Sequence, residues 1–338
     1  MFGNIADFFG ILLNFLYELV NNYGLAIILF SILLRLILLP ITIKQQKSMQ
    51  KTSKIQGQLK ALQLKYKNNP EMLNKETMEL YKKEKISPFS GCLSAIAQIL
   101  IILSVFYLVS QPLTHMKHAN DDHKDLKEVV GIYKEQVSAE NNSGTRYLEI
   151  ATIARMRDDY SRINEKINEI NSNENNLEKE ENIEEINEDD DQVESTEVVE
   201  NIEQENKEDL IKRKEILEKL NINMDFLGLD LSKVPNENLK DVKVYIIPLL
   251  YVISSFISIK LTTKTPTKKK ENGEESNNDE ADTMSQMNKS MSYMMPIMTL
   301  FIAFIAPLGL ALYWFISNVL MIMERVIIQK IIDNKEAE

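Results

Sequence analysis

Long apolar runs alternate along this chain with stretches that are almost wholly polar. Residues 24–43, GLAIILFSILLRLILLPITI, carry one charge, Arg35, and reach the length of about 20 apolar residues that a helix needs to cross a hydrocarbon layer. A second run, SGCLSAIAQILIILSVFYLV at 90–109, and a third, VYIIPLLYVISSFISIKL at 244–261, predict two more spans, the third ending at Lys260, which can snorkel to the interface. The last apolar block, 291–332, is too long for one crossing. Pro307 and Gly309 punctuate it, so it predicts two antiparallel helices joined by a tight turn, the first ending near Ala306. The fold class read from this pattern is an all-α polytopic membrane protein with five transmembrane helices.

The N-terminal stretch IADFFGILLNFLYELV is apolar but carries Asp7, Asn14 and Glu18. It lacks the basic region and small-residue cleavage site of a secretory signal. It is read as an interfacial amphipathic helix, with a sixth span as the alternative. Lysine placement sets the orientation: residues 44–86 hold eleven lysines against four glutamates, and Lys264, Lys268, Lys269 and Lys270 follow the third span. By the positive-inside rule both segments are cytoplasmic, which puts the N-terminus outside and the C-terminus inside. In 44–86, Met49, Ile55, Leu59 and Leu62 recur at helical spacing, Asn68-Asn69-Pro70 breaks the run, and EMLNKETMELYKKEK resumes it. This predicts a helical hairpin of coiled-coil character.

The chain then divides into an interfacial helix (1–21), a first span (22–43), a basic cytoplasmic hairpin (44–88) and a second span (89–111). An extracytoplasmic loop (112–243), a third span (244–262), a cytoplasmic loop (263–289), a fourth span (290–306), a turn with the fifth span (307–332) and a tail (333–338) complete it. Mean composition hides this division, because the net charge of −11 comes largely from one tract: residues 178–209 carry sixteen acidic side chains, two lysines and no aromatic. Such a tract is expected to be disordered, while its flanks, about 123–175 and 208–222, have helical patterning and could pair.

The single cysteine, Cys92, excludes an internal disulfide, and His115, His118 and His123 have no metal-ligand spacing, so no metal or other cofactor is expected. No phosphate-binding glycine loop is present. An intramembrane arginine is costly, about 2.5 to 3.5 kcal/mol on insertion scales, so Arg35 is expected to face a polar or watery cavity. Ser31 lies one turn away. Ser94 and Gln98 in the second span, and Trp314 and Asn318 in the last, share that spacing, with Tyr313 and Ser317 beside the latter pair. Convergence of these stripes would enclose a hydrophilic chamber. The blander alternative is that Ser, Gln and Asn join helices, at about 0.6 kcal/mol per contact. Glu324 is read as too shallow to neutralise Arg35. No nucleophile, base and orienting group can be assembled from the spans, so no catalytic residue and no enzyme activity is expected.

The stretch GLAIILFSILLRLILLPITIKQ, then ELYKKEKISPFSGC with Gln98, then MMPIMTLFIAFIAPLGLALYWFISNVLMIMERVIIQK, resembles the YidC/Oxa/Alb family of membrane protein insertases. The resemblance covers residues 20–111 and 225–333, including FLGLDLS at 226–232. It implies a five-helix core with a groove open to cytoplasm and lipid and closed toward the outside. Arg35 would be the groove arginine, with Ser31, Ile102 and Trp314 lining the substrate path and Gln98, Tyr313, Ser317 and Asn318 beside it. Leu100 stands where the family often has proline, the insertion at about 117–223 is longer than the usual loop, and the tail DNKEAE is short and not basic.

The implied function is a membrane protein insertase and chaperone of the bacterial plasma membrane. Its partners would be nascent membrane proteins and lipids, with the Sec translocon and the ribosome as candidates and no direct DNA binding. A small-solute or anion transporter using Arg35 is the alternative, and it predicts access from both sides and internal repeats, of which none is visible. A scaffold acting through its acidic outer loop is a third reading.

Overall fold

Helix is the outcome for every apolar run in the described part of the computed structural model, which comprises residues 2–84, 90–117, 124–140, 147–181, 193–263, 298 and 301–337. Helix α1 spans Phe2–Val20 and α2 Tyr23–Lys54. Between them Asn21 takes a left-handed backbone (φ 46°), and the Asn22 side chain accepts the Leu25 N–H at 3.1 Å, capping α2. Pro40 lies inside α2 without ending it. The first span was expected to stop at 43, but the helix runs unbroken to Lys54. The apolar part has already met the cost of nucleation, and Lys, Gln and Met propagate a helix readily.

Helices α3 (Gln56–Lys65) and α4 (Pro70–Lys83) pack side by side around a turn. Asn69 caps α4 through the Met72 N–H at 3.1 Å and Pro70 occupies its first turn, which is how the Asn-Asn-Pro break works locally. Helix α5 (Ser90–Ser110) leads into the single turn α6 (Pro112–His115). Next come α7 (Lys124–Glu140), α8 (Leu148–Glu181) and α9 (Val193–Leu220), which pack on one another. A two-residue hairpin follows, β1 (Asp225–Phe226) against β2 (Leu229–Asp230), antiparallel, with Leu227 and Gly228 both at positive φ in the turn. After two 3₁₀ turns come α10 (Ile246–Thr263), a helical stretch at 301–305, and α11 (Leu308–Ala337).

Four described helices are long and apolar enough to cross a membrane: Gly3–Val20, Tyr23–Ser48, Val242–Leu261 and Leu308–Ile331. In the expected second span the apolar helix with described side chains is Ile99–Ser110, and most of the expected fourth span lies outside the described residues. Helix α1 thus meets the length and composition of a span, although it was assigned to the interface. Its packing is informative. Asp7 contacts His115 Nδ1 at 2.6 Å, Gly10 lies against the His115 carbonyl, and Glu18 accepts from Lys117 Nζ at 3.2 Å. Asp7 and Glu18 are about 16 Å apart along the helix, yet both meet the short segment just past α5.

The tract expected to be disordered is helical over 178–181 and 193–209, with 182–192 outside the described residues. Glu and Lys are strong helix formers, and each piece extends a helix already anchored by packing. That anchor is an apolar core of Val130, Tyr133, Val137, Ile150, Ile153, Met156, Leu217 and Leu220. In water this core is held by the hydrophobic effect, at about 1.5–3 kcal/mol per large side chain. Among the apolar helices, where lipid is as apolar as the side chains, close packing and hydrogen bonds must take over.

Candidate functional site

Helices α2 and α11 begin at the same end and run parallel: Gly309, at the start of α11, lies against Tyr23 and Ile27 of α2. Arg35 and the polar stripe of α11 therefore fall at comparable depths. Arg35 Nη2 donates to the Ser317 carbonyl at 3.1 Å, and Nη1 lies 3.6 Å from Glu324 Oε2. The Tyr313 and Ser317 side chains hydrogen-bond to each other. Tyr313, Ser317 and Glu324 share one face of α11, at i, i+4 and i+11, which is why a single arginine reaches two of them.

This corrects the expectation that Glu324 is too shallow. Its Cα sits about 22 Å along α11 from Gly309, whereas Arg35 is about 18 Å along α2 from Tyr23. Side chains on a helix lean toward its N-terminus, so the Glu324 carboxylate rises about one turn and the gap closes. Arg35 has an acidic partner: its side chain is 18% exposed and that of Glu324 8%.

The other expected site residues divide. Ser31 is buried and its hydroxyl donates to the Ile27 carbonyl at 2.7 Å, so that hydrogen is committed within its own helix. Asn318 turns away from Arg35 onto α10, donating to Ser254 Oγ at 2.8 Å and Ser255 Oγ at 3.2 Å. Both serines donate in turn to the Tyr251 carbonyl. Trp314 faces the same way, its ring 6.2 Å from that of Tyr251. These two residues join α11 to α10 and do not line a common chamber with Arg35. Ile102 is exposed on α5, and the Gln98 and Ser94 side chains lie outside the described residues. Glu324, Ser254 and Ser255 are the residues that sequence reasoning passed over. The signal for Glu324 was present: it is the one acid in the run 308–331.

Above this cluster the common N-terminal end of α2 and α11 is closed by main chain. A helix leaves its first N–H groups without intrahelical partners. Here Tyr23 N–H donates to the Asn223 carbonyl (2.9 Å), Leu308 N–H to Lys233 (2.9 Å) and Gly309 N–H to Leu231 (3.0 Å). One segment, 223–233, thus takes up the orphan donors of both α2 and α11. Phe226 seats on Gly24, where an added Cβ would come within 2.4 Å of the ring. Asn22 Nδ2 donates to the Asp225 carbonyl at 2.7 Å, and Asn223 N–H to the Tyr17 hydroxyl at 2.8 Å.

The outer helices brace this closure. Arg157 on α8 binds both oxygens of Asp230, at 2.6 and 3.4 Å. Burial pushes the Asp230 carboxyl up, but the hydrogen bonds from Arg157 and Ser232 outweigh it and hold the group below the usual carboxylate range. Glu149 of α8 accepts from the Thr114 N–H at 3.0 Å and from Lys134 Nζ at 2.8 Å, tying α7, α8 and the end of α5 together. No cluster of His, Cys, Asp and Glu able to hold a metal occurs among the described residues.

The profile of the family described as 60Kd inner membrane protein matches residues 15–143 and 213–336. The chain belongs to this family. The matched ranges take in the end of α1, all of α2, the hairpin 225–230, α10 and nearly all of α11, and pass over the whole of α8 and the first part of α9. Relatives named membrane protein insertase YidC include one from Fusobacterium nucleatum, 41% identical over 106 residues, covering 31% of this chain and 52% of that protein. One from Caldanaerobacter subterraneus is 42% identical over 107 residues, covering 32% and 52% respectively. A third, from Francisella tularensis subsp. novicida, is 43% identical over 97 residues, 29% of this chain and 18% of that protein. The chain spans about half the length of the first two relatives that it matches. As a member of this family it is an all-α membrane protein.

Proposed function

We propose that this chain is a membrane protein insertase and chaperone that receives its clients from the cytoplasmic side, alone or beside the Sec translocon. The observation that supports this best is the polar group of Arg35, Tyr313 and Ser317 set beneath an outer end closed by the main chain of 223–233. A transporter needs that end to open, and three main-chain bonds to the N-termini of two helices oppose it. A short polar terminus of a client would advance to Arg35 past the exposed Ile102 of α5. Its apolar segment would then leave along the exposed faces of α2 (Leu36, Ile37) and α11 (Met323, Ile327).

Arg35 attracts acidic groups more strongly at the lower dielectric of this site than in water. Translocation of each acidic group is helped by the membrane potential, by about 2.3 kcal/mol per 100 mV. In this reading α1 lies along the outer interface, α3 and α4 form the cytoplasmic hairpin that first meets clients, and the C-terminus is cytoplasmic. Depletion should leave several unrelated small membrane proteins uninserted, whereas loss of a transporter would change one solute flux. Arg35→Ala is expected to slow insertion of an acidic-tailed single-span client about tenfold, or about 1.4 kcal/mol. Normal insertion by both Arg35→Ala and Arg35→Lys would remove the attraction from the mechanism.

A further inference from the structure

Glu324 has no part in the insertion path described above, yet its carboxylate faces the Nη1 edge of Arg35 at 3.6 Å. Its carboxylate is nine-tenths buried, and neither oxygen has a hydrogen-bond donor among the described residues. The 3.6 Å separation from Arg35 is beyond hydrogen-bonding distance. A pair built for stability would be short and bidentate, because only then does the attraction offset the cost of taking both charges out of water. This pair is loose and its acceptor sites are unfilled. Meanwhile the Nη2 edge of Arg35 is held by the Ser317 carbonyl, so the guanidinium stays in place whichever carboxylate sits on its other edge.

We propose that Glu324 is an internal stand-in for a client carboxylate: it occupies Arg35 at rest and sets client selection by charge. An acidic client side chain that can reach bidentate geometry displaces it, and a neutral one leaves the pair closed. The apparent attraction of Arg35 for acidic clients is then reduced by the fraction of time that Glu324 holds it. This rests on the insertase reading and names a specificity determinant for it.

The test uses the full chain in lipid vesicles and two single-span clients that differ only in an N-terminal Asp-Asp or Asn-Asn pair. The readout is the ratio of protease-protected acidic to neutral client. Wild-type protein that inserts neither client sinks the insertase reading itself. If wild type inserts them, Glu324→Gln should raise the ratio about fivefold or more, and the same change in an Arg35→Ala background should leave it where Arg35→Ala alone puts it. An unchanged or lowered ratio in the Arg35 protein overturns the proposal. Emission from Trp314, the chain's one tryptophan, reports whether the variant is folded. Should the Gln variant fail to fold, Glu324→Asp, which withdraws the carboxylate by one methylene, must shift the ratio in the same direction, and a wild-type ratio there overturns the proposal equally.

Discussion

The end of the bundle where α2 and α11 begin and its middle are held by different kinds of bond. At that end, the N–H groups of Tyr23, Leu308 and Gly309 are taken by carbonyls of 223–233, so the closure is made from main chain. In the middle, Arg35 meets one carbonyl and one carboxylate, and the carboxylate bond is loose. The three main-chain bonds are made by one braced segment, so they are exchanged only if that segment moves as a whole. A side-chain ion pair can exchange partners at little cost. The molecule thus combines a fixed end with a labile centre, and the proposed insertase role would use both.

The largest expected effect breaks the seal by shape. Gly24→Ala places a methyl within 2.4 Å of the Phe226 ring. Overpacking of this kind costs about 3 kcal/mol, read as lowered thermal stability in detergent, with Phe226→Ala in the same chain recovering part of the loss. Wild-type stability for Gly24→Ala would show that the hairpin is not seated there. Next comes the brace. Arg157→Ala removes both bonds to Asp230 and leaves a partly buried carboxylate, so about 1–2 kcal/mol should be lost after allowance for exposure. Hydrogen exchange should report that loss at the amides of 223–233 before those of α11.

A smaller effect follows from pH. The Asp230 carboxyl is held below its ordinary value, so its contribution is complete above that value and lost as pH falls through the depressed folded-state value. Exchange at 223–233 should therefore rise under acid conditions, and Asp230→Asn should remove that part of the dependence. The smallest effect lies in the middle. Asn318→Leu removes the bonds to Ser254 and Ser255 and should cost only about 0.6 kcal/mol, with client charge preference unaltered. A change in charge preference would place Asn318 in the Arg35 cluster and blur the contrast between joint and site.

Much of this was legible in the residues. The apolar runs became helices, the Asn-Asn-Pro sequence became the α3–α4 turn with Asn69 as cap, and Arg35 stood out because a charge in lipid needs a reason. What the residues alone leave open has a common cause. Ser31, Trp314 and Asn318 carry the right chemistry at the right spacing, but periodicity along one helix says nothing about its rotation relative to its neighbours. One step of about 100° separates Ser317, whose carbonyl meets Arg35, from Asn318, which meets α10. Glu324 was dismissed on depth measured along the chain, before the lean of helical side chains was taken into account.

By itself the sequence determined the number and extent of the apolar runs, the break points between them and the cost attached to Arg35, because these depend on local propensity and on transfer from water to lipid. Only the tertiary structure decided that α2 and α11 run parallel from a common end, that Glu324 rises to Arg35, and that 223–233 closes that common end. Each of those depends on how rigid helices are turned against one another, a quantity set by packing between residues about 200 or more positions apart.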